Sequence, residues 1–127
     1  DTGAVMQDKR AMLLKSYEEG NREFCGWQLD GIDLSNCILD DIDLSRASLV
    51  GANLRSASMK SSILTEAKLS QASLSRANLS KADISRADFT NTDLVGIDLR
   101  KSLARATNFT HSCCAHASTT PTASAPS

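Results

Sequence analysis

Residues 77–91 read Ala77-Asn78-Leu79-Ser80-Lys81, Ala82-Asp83-Ile84-Ser85-Arg86, Ala87-Asp88-Phe89-Thr90-Asn91, three tandem copies of one five-residue unit. The beat continues on both sides. With the large apolar residue of each unit called i, the row runs Leu29, Leu34, Leu39, Leu44, Leu49, Leu54, Met59, Leu64, Leu69, Leu74, Leu79, Ile84, Phe89, Leu94, Leu99, Ala104, Phe109. Seventeen units thus fill 85 of the 127 residues, with one lapse at Ala104. A helix repeats every 3.6 residues and a strand every 2, and neither gives a strict period of five, so the chain is a repeat architecture.

A second row lies at i−2, where Ala47, Ala52, Ala57, Ala67, Ala72, Ala77, Ala82 and Ala87 take eight of the 17 places. Asp and Asn gather at i−1 and Ser and Thr at i+1, residue types whose short polar side chains bond nearby backbone and tolerate corner geometry. A unit that turns a corner every five residues puts i and i−2 inside and leaves i−1, i+1 and i+2 outside. Alanine fits the narrow interior, and each buried leucine contributes about 1.5–3 kcal/mol. Four corners close a square coil, so residues 20 apart stack and the backbone pairs between coils at roughly 4.8 Å per coil. The expected columns are Leu29, Leu49, Leu69, Phe89 and Phe109, with the two rings adjacent; Leu34, Leu54, Leu74 and Leu94; Leu39, Met59, Leu79 and Leu99; and Leu44, Leu64, Ile84 and Ala104. At the last of these, Leu103 suggests a local register slip. Larger or polar i−2 residues at the two ends, Trp27, Ile32, Cys37 and Ile42, then Thr92, Ile97, Ser102 and Thr107, suggest distorted coils there.

The runs 77–81, 82–86 and 87–91 resemble the A-(D/N)-L-x-x signature of pentapeptide repeat proteins. The resemblance implies an all-β solenoid, a right-handed quadrilateral β-helix of about four coils, here with an N-terminal α-helical cap. Ala4 to Glu19 reads as that cap: Met6, Leu13 and Tyr17 share a face, flanked by Val5, Met12 and Leu14, and Gly20 follows as a stop. Its Leu13-Leu14-x-x-Tyr17-x-x-Gly20 pattern resembles the helix preceding many cyanobacterial and plastid-type members. The expected organisation is 1–24 for the capping helix and entry segment, 25–111 for the β-helix, and 112–127 for a Ser/Thr/Pro/Ala-rich flexible tail. Asp1 in place of Met suggests a processed precursor or a trimmed chain.

The function classes narrow quickly. No apolar run approaches the roughly 20 residues of a transmembrane helix. No catalytic constellation appears, no phosphate loop, and no cofactor is implied; the repeated Asp residues answer to the corners. His111, Cys113, Cys114 and His116 are four soft-metal ligands in six positions, weak candidates because their spacing matches no common zinc motif. Cys37 reads as an inward small hydrophobe, Cys25 as too far from it to bridge without distortion, and Cys113 and Cys114 as tail thiols open to an intermolecular disulfide.

Charge is polarised along the chain. Residues 1–45 carry ten acids against Lys9, Arg10, Lys15 and Arg22, a net of −6, while residues 46–127 carry ten cations against five acids, a net of +5. A gyrase-binding, DNA-mimicking family member would present a continuous acidic wall, and basic residues interleaved with Asp and without exposed aromatics argue against direct nucleic-acid binding. Outward apolar residues are few. Ile63 and Leu103 fall on one face with Arg86 and Arg105 beside them, and Ile38 stands alone, so these five are the interaction candidates. The reading is a non-catalytic rigid rod that docks on a larger protein complex. The resemblance implies a photosynthetic membrane assembly in the thylakoid lumen or at the thylakoid, the cytoplasm being the other setting. The alternatives are a topoisomerase-binding DNA mimic and metal binding by the C-terminal His/Cys segment. An uncapped C-terminal coil also offers an edge for homodimerisation.

Overall fold

One parallel pairing rule organises the molecule: sixteen bridges join residues 20 apart, from Glu23 with Asp43 to Asp98 with Ser118. The computed structural model describes residues 2–119, with side chains described from residue 8. Asp1, the side chains of Val5 and Met6 on the capping face, and the tail from residue 120 lie outside the described residues. The order is a helix, α1 (Thr2–Glu18), followed by the coil.

Each unit accounts for its five amide groups in the same way. The N–H of i donates to the next coil, as in Leu74 N to Asp93 O at 2.8 Å, and so does that of i+2, as in Arg76 N to Val95 O at 2.8 Å. The N–H of i−1 donates to the preceding coil, as in Asp93 N to Ala72 O at 3.1 Å, and that of i−2 closes a turn onto the previous i, as in Ala77 N to Leu74 O at 3.0 Å. Only the N–H of i+1 has no backbone acceptor, and the Asp or Asn at i−1 supplies one. All nine such residues, Asp33, Asp43, Asn53, Asn78, Asp83, Asp88, Asp93, Asp98 and Asn108, accept it on Oδ1 at 2.9–3.1 Å. Buried amides need partners, which explains the acidic beat without any appeal to chemistry at the surface. At Ser48 and Ser58, two of the serines at i−1, the coil before compensates: Asp30 accepts from Val50 N and the Ser48 hydroxyl, and Asp40 from Lys60 N and the Ser58 hydroxyl, while the Ser73 hydroxyl is buried without a partner among the described residues.

The corner itself falls at i+2, one step beyond the polar residues to which the sequence assigned corner geometry. Fifteen non-glycine residues there, from Asn36 to His116, have φ between 55° and 66°, and Gly26, Gly31, Gly51 and Gly96 complete the series at 70–77°. Those nineteen corners make nearly five coils, more than the four expected. A turn closed from i to i+3 with positive φ at its second central residue has the type II pattern.

Inside, the expected columns stand. Leu34, Leu54, Leu74 and Leu94 are fully buried, as are Leu29, Leu49, Leu69 and Phe89, and Phe109 is 4% exposed. The Phe89 and Phe109 rings lie 5.5 Å apart. Several expectations change. The coil begins one unit before Leu29, because Phe24 is buried and Glu23 pairs with Asp43. It also passes residue 111, since Cys113 and Ser118 pair with Asp93 and Asp98, so 112–119 follow the coil and not a tail. Pairing needs backbone groups and not a large side chain, which is why Ser112 and Cys114 suffice. No register slip occurs at Leu103, which faces out at 45% exposure while Ala104 faces in at 4%. A slip would break the Ile84 N to Leu103 O and Leu103 N to Ala82 O bonds, both 2.8 Å, and turn every side chain to the wrong side. Nor do the end coils lose the 20-residue register. Polar i−2 residues fit because Thr92 and Ser102 donate to the carbonyls of Phe89 and Leu99 at 2.7 Å. Ser75 and Ser85, expected outside, are buried.

The helix closes the first coil. Its Leu13 is fully buried and Leu14 and Tyr17 pack on the core, while Met12, expected beside them, is 60% exposed. The first coil has no predecessor to occupy its carbonyls, and three of them accept instead from Lys9 Nζ (to Gln28 O), Arg10 Nε (to Asp33 O) and Tyr17 OH (to Asp40 O), each at 2.8 Å. Gly20, at φ 100°, ends α1 with Gly20 N to Tyr17 O and Asn21 N to Ser16 O, the paired bonds of a Schellman motif.

Two substitutions test these forces. Leu74→Ala should lower the free energy of unfolding by about 2–5 kcal/mol, read by denaturant melting. Gln71→Gly should raise it by about 0.5–1 kcal/mol, because relief at the left-handed corner exceeds the entropy that glycine adds to the unfolded chain.

Candidate interaction surface

The coil presents four walls, each made of units 20 residues apart. The first wall is centred on Phe24, Leu44, Leu64, Ile84 and Ala104; the second on Leu29, Leu49, Leu69, Phe89 and Phe109; the third on Leu34, Leu54, Leu74, Leu94 and Cys114; the fourth on Leu39, Met59, Leu79 and Leu99. Side chains at i−1, i+1 and i+2 form three outward files per wall.

The i−1 file of the first wall brings together two of the candidates read from sequence. Ile63 pairs with Asp83 and Asp83 with Leu103, so the two apolar side chains flank one carboxylate, at 39% and 45% exposure. Arg86 stands at the corner of the same wall, 3.9 Å from Glu66. Arg105 occupies the i+1 file, and its amide, lacking an Asx acceptor at Leu103, uses the Ser85 hydroxyl at 3.3 Å. Ile38 belongs elsewhere. It lies on the fourth wall, 68% exposed, beside a notch of about 380 Å³ between α1 and the first coil, lined by Leu14, Tyr17, Glu18, Asn36 and Cys37 as well. Cys37, expected inward, is half-buried on this notch.

The His/Cys segment does not converge. Cys113 is an exposed i−1 residue, Cys114 is a half-buried i residue packed on the core, and His111 and His116 occupy corners of the second and third walls. No group of three or more His, Cys, Asp or Glu side chains able to hold a metal ion occurs among the described residues. All four cysteines are free thiols.

Cys25 carries a feature the sequence did not reveal. Stacked under the next coil, its Sγ accepts hydrogen bonds from Ser45 Oγ at 3.2 Å and Arg46 Nη2 at 3.3 Å. The Ser45 hydroxyl first, and then the Arg46 guanidinium, hold the thiol pKa below its ordinary value. Only the 20-residue stacking could have shown this, since Cys25 and Ser45 are one period apart in a unit that the apolar row omits. A lowered pKa means more thiolate at neutral pH, so iodoacetamide at about pH 7.5 should alkylate Cys25 faster than exposed Cys113. Mass spectrometry of the time course reads the rates, and Ser45→Ala with Arg46→Ala should bring the two together.

Comparison with known proteins agrees with this geometry. A family model described as Pentapeptide repeats (8 copies) matches residues 28–65, 62–100 and 82–118. Among solved structures the chain is similar to HetL, a pentapeptide repeat protein involved in heterocyst differentiation regulation in the cyanobacterium Nostoc sp. strain PCC 7120. The likeness is 34% identity and a TM-score of 0.82 over 83% of this chain and 44% of HetL. It is also similar to a pentapeptide repeat protein of the Arabidopsis thaliana thylakoid lumen, at 31% identity and TM-score 0.71 over 72% of this chain and 64% of that one. A third, from Nostoc PCC 7120, shows 32% identity and TM-score 0.77 over 87% of this chain and 94% of that one. The chain therefore spans less than half of HetL and just under two thirds of the thylakoid protein. No curated protein sequence matches it. These neighbours fold as right-handed quadrilateral β-helices. With the family model covering residues 28–118, the chain belongs to the pentapeptide repeat family.

Proposed function

We propose that the protein is a non-catalytic interaction module, a rigid rod that docks on a larger protein complex through its walls. The observation that carries this reading is the Ile63–Leu103 file: two exposed large apolar residues on a wall whose outward positions otherwise carry no large apolar side chain, with Arg86 and Arg105 at hand. Rigidity supports it, because most interior units commit four of five amides to backbone acceptors, and nine units along the rod give the amide at i+1 an Asx acceptor. The finer setting we infer is a photosynthetic membrane assembly, with the thylakoid lumen as the compartment. It is supported by the similarity to an Arabidopsis protein of that lumen and to cyanobacterial proteins. No helix among the described residues is long and apolar enough to cross a membrane.

Charge speaks against the DNA-mimic alternative: exposed Arg76, Lys81, Arg86, Arg100, Lys101 and Arg105 stand on the later coils, where a mimic of DNA requires acids. The scattering of the four His and Cys side chains speaks equally against a metal-binding role for the C-terminal segment. Homodimerisation through the last coil stays part of the proposal, because the amides of Ala104, Ala106, Phe109, His111, Cys114 and His116 find no acceptor among the described residues and an open edge invites pairing.

Affinity purification of the tagged chain from thylakoid extract, followed by mass spectrometry, should recover a defined set of subunits. Ile63→Glu with Leu103→Glu should abolish that recovery while the melting temperature stays within a few degrees; unchanged recovery rejects this wall.

A further inference from the structure

The capping helix leaves part of the first coil uncovered. Later coils are each covered by the one before, whereas the first has only α1 beside it. Between the two, on the fourth wall, opens the notch of about 380 Å³ lined by Leu14, Tyr17, Glu18, Asn36, Cys37 and Ile38. Its bed is apolar: Leu14 and Cys37 are half-buried against the core, and Ile38 is 68% exposed. Single surface apolars are ordinary, but these three share one concavity.

Ile38 also deprives the rod of a hydrogen bond. It stands at i−1, where other units place Asp or Asn to accept the amide two residues on, as Asp88 does for Thr90 N. With isoleucine there, the Asp40 N–H finds no acceptor among the described residues. An asparagine would serve the backbone better.

Acids surround the apolar bed. Glu18 lines the notch, and Asp40 and Asp41 follow Ile38 along the chain. The Tyr17 hydroxyl donates to the Asp40 carbonyl at 2.8 Å, which fixes the ring against that corner. Partial burial first, opposed by Arg22, and then the Asp40 and Asp41 carboxylates hold the Tyr17 phenol above its ordinary pKa, so both acids act on a residue of the notch. Arg22 is engaged elsewhere: its guanidinium carbon lies 3.6 Å from the Tyr17 ring centroid and its Nη1 donates to the Tyr17 carbonyl at 2.8 Å. Neither Lys60, one coil beyond Asp40, nor any other cation among the described residues forms an ion pair with Glu18, Asp40 or Asp41. An apolar hollow with unneutralised acids at its rim complements an apolar side chain next to a cation.

We propose that the notch between α1 and the first coil, with Leu14, Cys37 and Ile38 as its bed and Glu18 and Asp41 at its rim, docks a short segment of a protein partner in which a large apolar residue is flanked by lysine or arginine. The apolar side chain fills the hollow and the cations meet the carboxylates. This rests on the reading of the rod as an interaction module and adds a contact of different chemistry from the Ile63–Leu103 file.

Fluorescence anisotropy on the full chain tests it with a labelled six-residue peptide that alternates leucine and lysine, at about 20 mM salt, where exposed charges are little screened. Ile38→Asn should weaken binding about tenfold without lowering the melting temperature, because it supplies the acceptor that the Asp40 amide lacks; Ile38→Ser serves should that variant misfold. Glu18→Gln with Asp41→Asn should also weaken binding about tenfold, whereas Asp8→Asn with Glu23→Gln, an equal loss of charge from the same half of the chain, should change it less than about twofold. Absence of binding, equal weakening by the two acid pairs, or equal affinity for hexalysine overturns the proposal. So does equal affinity for a peptide alternating leucine and serine, which makes the occupant merely apolar, or conversion of a wild-type dimer to monomer by Ile38→Asn in sedimentation, which makes it a second copy. Should the notch fail while Ile63→Glu with Leu103→Glu still abolishes recovery of the complex, the module stands and only this contact is removed.

Discussion

The constraint on which the molecule depends is the left-handed corner. Every fifth residue must take φ near +60°, and fifteen of the nineteen that do so carry a side chain. Such a residue is strained by about 1–2 kcal/mol, and only a structure that over-determines it holds it there. Here the over-determination comes from the corner amide's own bond to the next coil, the turn bond beside it and the Asx acceptor of the amide just before it. The bonds reinforce one another: removing one coil's register would orphan the amides of the next. The Leu ladder provides the buried area, but the backbone ladder decides that the period is five and the rise is one coil per 20 residues.

The same ladder makes the two ends unlike. Along the rod, i and i+2 donate forward and i−1 donates backward, so the first coil is rich in carbonyls that no earlier coil claims, and several amides of the last described coil find no acceptor among the described residues. The N-terminal helix answers the first condition with donors: the Lys9 ammonium, the Arg10 guanidinium and the Tyr17 hydroxyl. Arg22 then braces that helix, with its guanidinium carbon 3.6 Å from the Tyr17 ring centroid and a 2.8 Å bond to the Tyr17 carbonyl. A cap for the far end needs acceptors instead.

Much of this was legible in the residues, because the apolar and alanine rows report which atoms share a narrow interior. The columns of Leu34, Leu54, Leu74 and Leu94 and of Phe89 over Phe109 follow from period alone. What escaped was carried by backbone. The corner position was signalled only by Gly26, Gly31, Gly51 and Gly96 sharing one phase, a thin trace among Arg, Lys and Ser. Phe24 was missed because Arg22 precedes it at i−2 where the apolar pattern expects a small residue, and 112–119 because a coil needs no large side chain at its last rungs. The interaction candidates fared according to the same logic. Ile63 and Leu103 could be placed on one wall by counting in twenties, whereas the Ser45 and Arg46 bonds to Cys25 depend on side-chain reach between coils.

A rod of this kind separates what the fold requires from what the surface can state. Inward files admit Leu and Ala with few departures, and the i−1 file is drawn toward Asp and Asn by an amide that must be satisfied. The i+2 file bears strain but no packing demand, so its side chain is free to be Arg46, Glu66 or Lys81. Departures from economy in the i−1 and i+2 files therefore carry the information about partners. Leu103 gives up an Asx acceptor, leaving the Arg105 amide to donate to Ser85 Oγ at 3.3 Å. That departure is the ground on which the first wall is proposed as a contact face.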